Sequence, residues 1–191
     1  MMKAIIEKAR EWALEEINKY NDGPPSLFNL NTSLEKGEWL AEKLDANKDI
    51  VLIGCYLMDI KLAECKDQGK AAEHIAESGK ATEEFLKEFE IDQEIKNKIL
   101  SCVLEHHGIS KFSCIESEIC ANADCYRFIN PVNVFEFVAS LAKEGLNLSD
   151  NLNFVVKKLE EKHNILSLDI CKEELEPCYK MFKELLSKAR E

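Results

Sequence analysis

Glycine and proline are scarce in this 191-residue chain, at seven and four. Few breakers beside abundant Glu, Lys, Leu and Ala exclude a turn-rich sheet protein and predict helix after helix. No apolar run approaches the roughly 20 residues that a membrane span needs. No leader pattern is visible: Met1-Met2-Lys3-Ala4 runs straight into a charged amphipathic segment, so a cytoplasmic chain is expected. Among eight cysteines there is no CxxC pair. Cys120 and Cys125 come closest, a weak metal signal. Thiols in a cytosolic protein stay reduced, and Cys55, Cys102 and Cys120 sit in apolar stretches, so they read as small core residues. A cysteine-based metal or redox site draws little support from this spacing. Positive charge is also short: 25 Lys and Arg stand against 36 Asp and Glu, a formal net charge of -11. That field repels a polyphosphate backbone, which excludes non-specific nucleic-acid binding. A bound metal could still offset it locally for a small phosphate.

What is present is helical periodicity. Residues 2–20 carry Ile5, Ala9, Trp12, Leu14 and Ile17 on one broad face. Asn21-Asp22-Gly23-Pro24-Pro25-Ser26 closes that helix, and a loop with Phe28 turned inward is expected up to Asn31. Thr32 or Ser33 can cap the next helix, with Glu35 nearby. Residues 50–60 are apolar nearly all round. Helix and strand compete there, and helix is preferred because no partner strands are visible. Residues 61–70 read as a polar loop. Further helices are expected over 71–89, from Asp92 to His107 with Gly108 as stop, and over 113–128, 134–144, 149–163 and 169–189. The reading is one helical domain over 1–191.

Four histidines occur, and none precedes His74. His106-His107 closes a helix before Gly108. Neighbouring helical residues point about 100° apart, so one of the two is expected to face a pocket while the other meets a helix-end carbonyl. Asp59 and Asp124 are carboxylates that could ligate a metal. Each could equally serve locally, Asp59 by capping a turn or pairing with Lys61, Asp124 by holding helix ends together. His163 reads as a surface residue.

The strings VLIGCYLMDI, EHIAESGKATEEFL, ILSCVLEHHG and ICANADCYRF occur in the order found in HD-domain phosphohydrolases, and over 32–131 the chain resembles that family. The resemblance implies an all-α, HD-like helical array over 32–131, with an N-terminal helix before it and extra C-terminal helices over 132–191. It implies a divalent-metal site (Mn, Fe, Co, Ni, Zn or Mg) drawn from Asp59, His74, His106, His107 and Asp124. Such an ion lowers the pKa of water and polarises phosphoryl oxygens. In that setting Asp59 and Lys61 are the candidate catalytic residues, Lys61 steadying a phosphate. Otherwise Lys61 is a solvated lysine.

The chain departs from the family at two places. The family's His-Asp pair is Met58-Asp59 here, and its first-helix histidine falls near Thr32 or Ser33. Met58 offers only a soft thioether, poorly matched to a hard ion. Two readings follow. One is a degenerate HD protein, non-catalytic or weakly active, binding a small phosphorylated ligand or a protein partner. The other is an active metal-dependent phosphohydrolase, acting on a nucleotide or other phosphoester with a rearranged ligand set. No membrane partner is expected, and the acidic C-terminal helices are candidates for a homodimer contact.

Overall fold

A computed structural model describes residues 1–20, 25–143, 145 and 147–189, and the described residues contain no strand. The chain divides into two compact units, 1–123 and 124–191. No helix of the described residues is long and apolar enough to cross a membrane.

The first unit opens with α1 (Met2–Lys19), which buries Ile5, Ala9, Ala13 and Ile17, one residue per turn. The turn expected over 21–24 lies outside the described residues. α2 (Leu27–Lys43) begins earlier than the sequence reading placed it. Ser26 is its cap, accepting the Asn29 N–H at 3.3 Å. Thr32 and Ser33 are interior positions whose hydroxyls donate back to the Phe28 and Asn29 carbonyls. The expected loop with an inward Phe28 is thus corrected: that residue lies in the first turn of α2 and is 40 % exposed. A cap needs to stand just outside the first free N–H groups, and Ser26, directly after Pro25, does so.

α3 (Lys48–Leu57) is the helix that organises this unit. Asn47 caps it by accepting from Ile50 N at 3.3 Å. Ile50, Val51, Ile53, Gly54, Cys55 and Leu57 are all buried, and α3 packs against α1, α2 and α6 (Gln93–Glu105). An apolar decade without a polar face survives as a helix because neighbours cover it, each large side chain contributing about 1.5–3 kcal/mol. The close approach of α6 depends on Gly54. A Cβ there would lie 2.5 Å from Cys102 Cβ and 2.9 Å from Cys120 Sγ.

Beyond α3, the segment read as a loop contains a short helix, α4 (Leu62–Asp67), carried on turn hydrogen bonds that begin at Asp59. A 3-10 turn over Ala71–Glu73 leads into α5 (His74–Lys87), which packs on α6. α7 (Ile115–Ile129) contains the boundary between the units. The second unit goes on with α8 (Pro131–Lys143), α9 (Leu148–Ile165) and α10 (Asp169–Lys188); α9 packs on both α8 and α10.

Candidate metal centre

Three helix ends of the first unit bring the site together. Asp59 follows Met58, the residue that caps the C-terminus of α3, and is 6 % exposed. A helix C-terminus carries partial negative charge, so a buried carboxylate there needs a cation close by. His74 is the first residue of α5, and His106 caps the C-terminus of α6. The Nε2 atoms of His74 and His106 each lie 3.4 Å from the same oxygen, Asp59 Oδ1.

Both rings are fixed from behind. His74 Nδ1 is 2.7 Å from the Ala71 carbonyl oxygen, and His106 Nδ1 is 2.7 Å from that of Val103. A carbonyl only accepts, so each Nδ1 carries the proton. With Nδ1 committed to a carbonyl, each ring turns its Nε2 towards Asp59. This is the outer-shell arrangement that sets tautomer and ring orientation in metal-ligating histidines. His106 is fully buried, and among the described residues its Nε2 has no hydrogen-bond partner.

His107 completes the cluster. Ligand atoms of His74, His106 and His107 lie within 4.8 Å of one another. The expectation that only one of the histidine pair would face the pocket is corrected. The regular helix stops at Glu105, and Gly108 takes φ 82°, so His107 lies on the departing turn and swings to the same side. The His106 and His107 ring centroids are 4.5 Å apart, edge to face.

These donors fit a divalent transition ion. Two atoms ligating one ion at about 2.0–2.2 Å stand roughly 3–3.5 Å apart, as Asp59 does from each ring nitrogen. Imidazoles with one carboxylate suit Zn, Fe, Co, Ni or Mn better than Mg, which prefers oxygen. A small cleft lined by Ala13, Ile17, Leu30 and Ile60, with Glu16 and Tyr56, reaches Asp59. Burial raises the Tyr56 hydroxyl above the usual phenol range.

The remaining candidates have other partners. Lys61 turns its ammonium to Glu64 at 2.8 Å, and its backbone N–H donates to Ser78 Oγ. The paired ammonium holds the Glu64 carboxyl below the ordinary range. Met58 is buried, and Ser33 Oγ is spent on a carbonyl of its own helix. Asp124 belongs to the second unit, where Arg127 Nη1 lies 2.7 Å and Lys162 Nζ 2.5 Å from its two oxygens. Two cations in the second unit therefore neutralise it.

Lys162 escaped the sequence reading although a signal was there: it continues the stripe Val155, Leu159, Lys162, whose other members are buried. Glu105 escaped too. Its buried carboxylate accepts from Ser113 N at 3.0 Å, Ser117 Oγ at 2.6 Å and the Ser113 hydroxyl, tying the residues after Gly108 to the end of α6. His163 is no bare surface residue. Its Nε2 meets Glu176 at 2.6 Å and its ring stacks on Tyr179 at 3.6 Å. Compared with known proteins, the chain matches no family model, no curated protein and no solved structure.

Proposed function

We propose that this is an HD-like protein with one working metal position. Asp59, His74, His106 and His107 would hold a divalent transition ion that captures a small phosphorylated ligand, with hydrolysis slow or absent. The observation that carries this is the placing of two backbone-locked imidazole nitrogens 3.4 Å from one buried carboxylate oxygen. The phosphorylated ligand is the class that the resemblance over 32–131 implies. At a net -11 the chain repels phosphate unless a cation is held at the site. When bound, the ion supplies Lewis acidity, polarising a phosphoryl oxygen and acidifying its water.

The chain's own residues set the limits. Ala71 and Val103 orient the two rings through their carbonyls. Asp59 offsets the ion's charge, and a small cleft reaches it from the surface of α1 and α2. Lys61 is turned to Glu64, and steadying a phosphate would require it to give up that ion pair. Met58, Ser33 and the doubly paired Asp124 supply no donors for a second ion. That favours capture over fast hydrolysis.

An active phosphohydrolase is the second reading. It is favoured by the small ligand set, since three or four protein donors leave positions open, as catalytic sites do. One experiment separates the two. The protein is loaded with Mn, Zn, Co or Ni, freed of excess ion, and examined for phosphate and nucleotide binding by calorimetry and for phosphomonoester turnover. Metal-dependent binding without turnover supports the first reading. Turnover lost in His106→Ala supports the second. Failure to retain metal under any condition refutes both.

A further inference from the structure

The loop that carries His107 away from α6 hangs on one side chain outside the ligand set. Glu105 is the last residue of α6 and is 8 % exposed. Its carboxylate takes three donors from beyond the loop. Oε2 accepts from Ser113 N at 3.0 Å and from the Ser117 hydroxyl at 2.6 Å, while Oε1 accepts from the Ser113 hydroxyl. Ser117 lies in the first turn of α7 and is wholly buried. The same glutamate holds the other end of the loop through its backbone: Gly108 N–H donates to the Glu105 carbonyl at 2.8 Å. Residues 107–112 thus leave from and return to a single residue.

We propose that Glu105 is a positioning residue: by clamping this loop at both ends it keeps the His107 ring against His74 and His106, within reach of one ion. The other two imidazoles have anchors of their own, the Ala71 and Val103 carbonyls. His107 stands past the last residue of α6, beside a glycine at φ 82° whose backbone is the most permissive in the chain. Its ring is nevertheless placed, with centroids 5.1 Å from His74 and 4.5 Å from His106. Breaking the clamp would leave a buried acceptor unsatisfied, which is costly, so the clamp is stiff. The consequence for a bound ion rests on the metal reading above; the placing of the ring does not.

The geometry also says which substitutions keep the clamp. In Glu105→Gln the amide oxygen takes the place of Oε2 and goes on accepting from Ser113 N and Ser117. The amide nitrogen takes the place of Oε1 and donates to the Ser113 hydroxyl, which accepts as readily as it donates. All three ties survive. Glu105→Ala removes them together and leaves only the backbone bond from Gly108. Ser113→Ala with Ser117→Ala removes the two hydroxyl ties, keeps the one from Ser113 N, and leaves Glu105 itself in place. Ser113 is exposed and serine to alanine is a small change, so this pair is the milder perturbation.

The test has a metal-free arm and a zinc arm, both on the intact chain. With a chelator present, labelling of His107 by diethyl pyrocarbonate is timed by tandem mass spectrometry, with His163 of the second unit as internal reference. Labelling should be equally slow in the parent and in Glu105→Gln. In Glu105→Ala it should be at least about tenfold faster, the shift that loss of one or two hydrogen bonds gives, while His163 is unchanged. Zinc titration reads the consequence. Glu105→Ala and His107→Ala should each lower zinc affinity about ten- to a hundredfold, and the double variant should fall no further than either. Glu105→Gln should bind as the parent does. Unchanged His107 labelling in Glu105→Ala overturns the proposal, as do additive losses in the double variant or a Glu105→Gln that behaves like Glu105→Ala. If Glu105→Ala loses its native circular dichroism, Ser113→Ala/Ser117→Ala carries the decision, with faster His107 labelling expected and unchanged labelling overturning. A parent that holds no zinc, with labelling in the expected order, supports the placing of His107 and defeats the metal reading alone.

Discussion

Asp59→Asn separates a metal site from an ordinary buried ion pair, because the two predict opposite signs. The substitution keeps the side chain's shape and removes its charge. In the ion-free protein a carboxylate oxygen lies 3.4 Å from two imidazole Nε2 atoms whose partner nitrogens already carry the protons. Wherever both rings are neutral, an acceptor then faces two acceptors at the negative end of α3. An asparagine amide in that place brings two N–H donors and no charge. The gain is about one ordinary hydrogen bond, roughly 0.5–1.5 kcal/mol, plus relief of the helix-end repulsion. For a chain of this size that raises the Tm by about 1–6 °C. Metal affinity moves the other way. Loss of outer-shell partners alone costs ten- to a hundredfold, so removing the carboxylate should cost at least about a hundredfold, or about 2.8 kcal/mol. The assay is a thermal melt at about pH 8, where imidazole is neutral, with and without Zn or Mn. The expected pattern is a higher Tm without ion and a smaller metal-induced rise. A lower Tm without ion would mean that the imidazoles themselves supply the positive charge, and would refute the reasoning.

Two further substitutions probe what surrounds the site. Lys162→Met leaves Asp124 short of one of two buried cations and should cost about 3–5 kcal/mol in urea unfolding while metal uptake stays unchanged. A cost under about 1 kcal/mol, or loss of metal, would contradict the structural role given to that pair. Gly54→Ala forces a methyl group to within 2.5 Å of Cys102 Cβ. It should destabilise by about 1–3 kcal/mol or more, and a melt unchanged from the parent would show that α3 and α6 are not in close contact.

Much of the first unit was legible because its signals are local. The apolar decade from Ile50 has no polar face to offer solvent, and that alone marks it as an enclosed helix. Asp59, His74 and the His106-His107 pair stand at helix ends and are brought together there. The misreadings have local causes too. Pro24-Pro25 reads as the start of a long break, which hid Ser26 as a cap and delayed α2 by several residues. The 100° spacing of His106 and His107 holds only where the helix runs through both, whereas α6 stops at Glu105 and Gly108 takes φ 82°. Long-range pairing was out of reach. Lys162 lies far along the chain from Asp124, and only the packing of the second unit shows that this carboxylate is engaged.

The central claim is that the Asp59, His74, His106 and His107 side chains converge on a cation. The most direct measurement is elemental analysis of the purified chain after loading with a mixture of divalent ions and exhaustive gel filtration, beside a His74→Ala/His106→Ala variant treated in parallel. The account predicts one transition ion per chain in the parent, selected over Mg, and none in the variant. Equal metal in both, or none in either while the fold stays intact, would contradict it.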